Sequence, residues 1–219
     1  MKKILFAASA IAIAMGMASC SDYFLDLNPT DQQTEANFYN TAEEFEAAAN
    51  STSSCYGFGD VSEPVNGTKY TSSYYDMLDV NSDILAGINP VAQGILAPST
   101  NDTYWSLCYA KIRKCNVVIE KGEEYTGTGS INASLAVARF FRAYQYFWLL
   151  QRFGGVPVIT KGLTSTSEEL YAPRNSRYEV AKQIFDDLDY AIQYLPDESA
   201  YDGKISKQGA QAFKARTLL

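Results

Sequence analysis

Residues 136–157 read AVARFFRAYQYFWLLQRFGGVP. Phe140, Phe141, Tyr144, Phe147 and Trp148 recur there at steps of three and four, continuing a series begun at Ala133 and Val137. That period predicts a helix opening near Asn132 with its aromatic residues on one side. Phe153-Gly154-Gly155-Val156-Pro157 closes it, because glycine accepts the left-handed conformation at a helix end and proline cannot continue the helix. Val158-Ile159-Thr160 then reads as extended.

The same period appears on both sides of this stretch. Upstream, Trp105, Cys108, Tyr109, Ile112, Cys115, Asn116 and Ile119 form a stripe that starts at Asp102 and is stopped by Gly122 and Gly127-Thr128-Gly129. Thr41-Ala42-Glu43-Glu44 fits a capping box and opens a helix from Ala42 to about Tyr56, with Phe45, Ala48, Ala49 and Thr52 facing inward. Downstream, Ser176-Arg177-Tyr178-Glu179 is a second capping box. Its helix carries Tyr178, Ala181, Ile184, Phe185, Leu188, Ala191, Ile192 and Leu195, and Pro196 ends it. Ser206 caps a last helix with Ala210, Phe213, Ala215 and Leu218. The chain stops at Leu219 in mid-pattern, so a longer protein is expected. Paired helices with alanine-rich aromatic stripes predict a mostly α fold of tetratricopeptide-like helix hairpins. Helix starts at Asn132 and Arg177 lie 45 residues apart, against about 34 for that repeat, which implies inserted loops.

Residues 57–101 break the pattern with Gly, Pro, Asn, Ser and Asp throughout. A long irregular segment in a helical domain is usually functional, so it is expected to face a ligand. It holds Tyr70, Tyr74 and Tyr75, with Tyr104 just beyond. Sugar rings present C–H faces that stack on flat aromatics, while their hydroxyls need polar partners such as Asn81, Asp83, Gln93, Asn101 and Asp102. The competing role for each tyrosine is to pack the loop onto the helices. Trp105 and Trp148 fall on helix stripes and read as core. Asp79-x-Asn81-x-Asp83 has the oxygen spacing that starts a calcium loop. Ile84 at the sixth position and Pro90 at the twelfth exclude the calmodulin type, leaving a solvated acidic loop, with a looser cation site as its alternative.

Composition narrows the chemistry. The 219 residues include no histidine, and 25 acidic against 18 basic residues leave a net charge of -7. No Ser-His or Cys-His pair and no imidazole metal site can be built, so neither metal nor cofactor is expected. An acidic chain lacks the basic face that nucleic acid demands. The carboxylates Asp186, Asp187 and Asp189, and Glu43, Glu44 and Glu46, fall on polar helix faces and read as solvated surface, not as a glycosidase pair. Arg139 and Arg142, three apart, read as a structural pair before an anion site. Cys108 and Cys115 are about 10.5 Å apart along a helix axis, too far for a disulfide. They read as small core residues, and Cys55 could pair with one of them.

The first residues are a sorting signal: Lys2 and Lys3, an apolar run from Ile4 to Met17, then small residues. Met17-Ala18-Ser19-Cys20 resembles the lipobox of bacterial lipoproteins, which implies a signal peptide over 1–19 and an acylated Cys20 at the mature start. The alternative is an ordinary secretory signal. Several acyl chains anchor stably, since each buried methylene contributes about 0.8 kcal/mol. Ser21, Asp22 and Asp26 resemble the surface-export tag of some Gram-negative lipoproteins.

A set of motifs in order carries a further resemblance. They are Phe24-Leu25-Asp26-Leu27-Asn28-Pro29 with Asn37-Phe38-Tyr39, and Trp105-x-x-x-Tyr109-x-x-Ile112-x-x-x-Asn116. Then come Ala136-x-x-Arg139-Phe140-x-Arg142-Ala143-x-x-Tyr146 leading to the Gly-Gly-Val-Pro turn, Ile184-x-x-Asp187-Leu188-x-x-Ala191-x-x-x-Leu195-Pro196, and Ser206-Lys207-x-Gly209-Ala210-x-Ala212-x-Lys214-Ala215-Arg216. Together they resemble the SusD/RagB family of outer-membrane nutrient-binding lipoproteins, over nearly all of residues 20–219. The resemblance implies the N-terminal helical domain of such a protein, truncated at its C-terminus. It implies a lipid-anchored protein of the outer membrane facing the cell exterior. Such a protein captures oligosaccharide or another nutrient as the lid of a SusC-like TonB-dependent transporter. No bond would be made or broken. The alternatives are a helical-repeat scaffold that binds a membrane protein, or a surface glycosidase.

Overall fold

The computed structural model describes residues 38–53, 102–197 and 203–219. From Tyr39 onward these belong to one compact unit, Tyr39–Leu219. The described residues form five α-helices and no strand: α1 (Ala42–Thr52), α2 (Thr103–Glu123), α3 (Asn132–Phe153), α4 (Arg177–Tyr194) and α5 (Lys207–Leu218). A single 3-10 turn, Glu168–Tyr171, lies between α3 and α4. The fold is the tetratricopeptide-like hairpin arrangement the stripes predict. α3 packs against α1, α2 and α4, and α4 carries α5.

Local chemistry sets the helix starts. Both capping boxes form: Thr41 and Ser176 accept from the N3 amides, and Glu44 and Glu179 reach back to the cap amides. Ser176 holds the Glu179 carboxyl below its ordinary range by hydrogen bonding. Asp102 accepts from the Tyr104 and Trp105 amides. The inward stripe of α1 is the expected one, Phe45, Ala48, Ala49 and Thr52. α2 passes through Gly122 and ends at Glu123, so that glycine is not its stop.

α3 departs most from a one-faced helix. Phe140 to Phe147 are buried without a break, and Ala136, Ala138 and Leu149 are buried as well, whereas Ala133 is exposed. The aromatic side meets α5, where Phe213 lies 5.7, 5.4 and 5.0 Å from Phe140, Tyr144 and Phe147. The opposite side, with Arg142 and Tyr146, is buried against α2, α4 and the segment after Pro157. A helix enclosed on every side loses the polar face that amphipathic patterning assumes.

The Gly-Gly turn also differs from a simple left-handed cap. Gly154 has positive φ, at 71°, but ψ at -130° takes it out of the left-handed helical well. A Cβ on Gly155 would sit 2.2 Å from the Asn175 carbonyl oxygen. That close backbone approach brings the chain back to Asn175, whose amide donates to Val156 O at 3.2 Å. Residues 156–160 run on without regular structure.

Two expectations for α4 fail. Tyr178 is 78% exposed. Asp187, grouped above with Asp186 and Asp189 as solvated, is completely buried. Its neighbours behave as surface groups: Asp186 pairs with Lys182 and Asp189 with Lys214. Cys108 and Cys115 are buried and not joined in a disulfide, while Cys55 lies outside the described residues.

Candidate functional site

Of the ligand residues expected from sequence, Tyr70, Tyr74, Tyr75, Asn81, Asp83 and Asn101 lie outside the described residues, as does the lipidation candidate Cys20. Tyr104 is described, in the first turn of α2. Its ring lies 6.4 Å from Phe153 and beneath the Arg152 guanidinium, 4.7 Å from the ring centre. Arg152 also approaches Asp102, at 3.5 Å. These contacts tie the start of α2 to the end of α3, and Tyr104 does not line the groove that opens beside α2.

That groove, about 490 Å³, runs between α2 and the segment from Pro157 to the 3-10 turn. Trp105, Tyr109 and Ile112 form one wall, with Pro157, Ile159 and Leu163 opposite. Ser106, Arg113, Lys161, Thr164, Ser165 and Glu169 supply polar groups. Trp105 is only half-buried, so it is not the core residue its stripe implies. Its ring packs on Tyr109 at 5.1 Å and edge-on to Phe153 at 5.1 Å, with the Arg174 guanidinium 5.1 Å from its centre. Leu170, at the lip, is 51% exposed. A volume of this size falls within the roughly 300–1,000 Å³ of small-ligand sites. Flat aromatics walled by hydroxyl, ammonium and guanidinium groups suit a ligand with apolar faces and a hydroxylated edge.

Side chains from the helices hold the groove's outer wall. Tyr109 donates its hydroxyl to Pro157 O at 2.7 Å, and Arg113 donates Nε to Leu163 O at 2.7 Å. The Tyr146 hydroxyl accepts from Ile159 N at 2.6 Å and donates to Ile159 O at 2.9 Å. Burial pushes both tyrosine hydroxyls well above their ordinary range, so they act as hydrogen-bonding groups and not as bases. Asn116 donates Nδ2 to Ile159 O at 3.0 Å and Lys161 O at 2.9 Å.

Behind this wall lies a buried ion pair. Asp187 accepts from Arg142 Nε at 2.7 Å and Nη2 at 2.6 Å, and from Gln183 at 3.1 Å. Arg142 Nη1 donates to Asn116 Oδ1 at 2.9 Å. Burial opposes the charge on Arg142, but the Asp187 carboxylate outweighs it and holds the guanidinium above its ordinary range. Arg139 sits at the edge of the pair, 3.5 Å from Asp187 Oδ1, with its guanidinium 4.4 Å from the Tyr190 ring centre. Both arginines thus meet Asp187, in keeping with the structural pair expected above. The role of Asp187 escaped the sequence reading. The signal was its place between Ile184 and Leu188 on the apolar side of α4, where a charge has to find a partner.

These features define a class: a stack of tetratricopeptide-like hairpins presenting a half-open aromatic groove, with its polar core spent on holding one groove wall. The family model described as "Starch-binding associating with outer membrane", SusD-like, matches residues 23–219, and the chain belongs to that family. It is 27% identical over 216 residues to SusD-like protein P2 of Formosa agariphila, covering 95% of this chain and 42% of that protein. A SusD-like protein of Bacteroides ovatus is 25% identical over 94% of this chain and 37% of its own. The crystal structure of a SusD-like carbohydrate-binding protein of Bacteroides fragilis superposes with a TM-score of 0.66 and 26% identity, over 82% of this chain and 37% of that one. A laminarin-binding SusD-like protein gives 0.62 and 25%, over 81% and 40%. The chain thus spans about two fifths of the length of the relatives it matches.

Proposed function

We propose that this protein is a surface glycan-binding lipoprotein that captures oligosaccharide and delivers it to a SusC-like TonB-dependent transporter in the outer membrane. The observation that carries the proposal is the family match across residues 23–219. The aromatic groove supports it with a surface suited to pyranose faces. The protein binds without cutting: sugar capture needs stacking and hydrogen bonds, and these residues offer both. The signal peptide occupies residues 1–19, and acyl chains on Cys20 attach the protein to the outer membrane, facing the cell exterior. Among the described residues no helix is long and apolar enough to cross a membrane. Tyr70, Tyr74, Tyr75, Asn81, Asp83, Asn101 and Tyr104 contribute further stacking faces and polar partners.

Native electrophoresis through gels cast with laminarin, starch and other soluble glycans tests the proposal. Retardation by at least one glycan, weakened by Tyr74→Ala with Tyr75→Ala and without release of reducing ends, is the expected result. Migration unchanged in every glycan contradicts it, and release of new reducing ends makes the protein a hydrolase. Mass spectrometry of the mature N-terminus should find Cys20 acylated.

A further inference from the structure

The outer wall of the groove has no sheet to hold it, and its backbone is gripped from behind at Ile159 and Lys161 by Asn116 and Tyr146. An amide side chain works as such a clamp only one way round. Arg142 Nη1 occupies Asn116 Oδ1, so the NH2 end is turned toward the segment and spends both hydrogens on the two carbonyls. Reversed, the amide would set its NH2 against the guanidinium. Arg142 is fixed in turn by the two-pronged contact with Asp187, a geometry that locks the guanidinium plane.

We infer that Asp187 is a positioning residue for the groove: acting through Arg142 and the amide of Asn116, it sets where the 159–161 backbone lies and so the shape of the ligand surface. Asp187 does not itself line the groove, whereas Ile159 and Lys161 do. The chain of contacts crosses from α4 through α3 to α2, so a change on one helix alters a wall two helices away. The inference rests on the glycan-binding reading for its effect on affinity, but not for its effect on the wall.

Hydrogen exchange of the intact chain, with no ligand present, separates the two. Asp187→Asn keeps the shape and loses the charge. It should speed exchange at the Ile159 and Gly162 amides by about tenfold or more, while the α3 amides from Ala143 to Phe147 stay near wild-type rates. Asn116→Asp keeps the acceptor for Arg142 and removes both donors to the segment. It should produce the same local loosening, and unchanged exchange there would break the link through which Asp187 acts even if Asp187→Asn does not fold. Trp105 emission in a Trp148→Phe background should shift with the wall in both variants. Unchanged exchange at 159–162, or an equal rise across α3 and the segment, would overturn the inference, because Asp187 would then do nothing local. If the wall loosens as expected but no glycan binds even the wild-type chain, the functional reading fails and the positioning role stands.

Discussion

α3 and α5 are opposite cases of the same structure. α3 begins at Asn132 with no side-chain cap from Ile131, yet it is enclosed over its whole middle. α5 has a proper Ser206 cap, yet Ala210 alone is buried along it, and Ala212, Ala215 and Arg216 face solvent. Local start signals therefore do not rank the helices by how firmly they are held. Tertiary packing does, as expected where propensity alone leaves a short helix marginal in water.

Five measurements probe that contrast. The largest effect should appear at Cys108 on α2, in the core beside α3. Burial pushes its thiol from 9.0 to about 12, cutting the reactive thiolate near pH 8 by about three orders of magnitude. Alkylation should proceed only through unfolding, and reaction at an exposed-thiol rate would show the core to be open. The unfolded chain releases this proton near pH 9 and the folded chain near 12. Stability is thus whole below pH 9 and declines as pH rises toward 12.

Asp187→Ala should follow, costing about 3–5 kcal/mol by leaving Arg142 charged and buried without its partner; denaturant titration measures it. Phe213→Ala should cost about 1.5–3 kcal/mol and free α5 in hydrogen exchange while α3 stays protected. Ser176→Ala should cost about 0.5–2 kcal/mol through the lost α4 cap. Ala215→Ser, on the open side of α5, should stay within about 0.5 kcal/mol. A larger loss there would mean that α5 is covered.

Helix positions and starts were readable because each depends on a few neighbouring residues: Thr41 with Glu44, Ser176 with Glu179, Asp102 with the next turn. The enclosure of α3 was not, since it takes contacts from α1, α2, α4 and α5 to bury both its sides. Asp187 was misread for a related reason. Beside Asp186 and Asp189 it looks like surface, and only Arg142, 45 residues away in sequence, explains why it is inside. The groove was hidden. Trp105 reads as core and Tyr109 as one more member of the α2 stripe, and the wall facing them is placed by Asn116 and Tyr146, which reach backbone groups that carry no pattern of their own.

Glycan capture at this aromatic surface is tested most directly by following Trp105 emission in a Trp148→Phe chain while adding oligosaccharides from the same glycan panel. A saturable change with at least one of them, abolished by Tyr109→Ala and accompanied by no cleavage, is the predicted result. Emission that stays flat with a glycan that demonstrably retards the protein would place capture elsewhere and contradict the account.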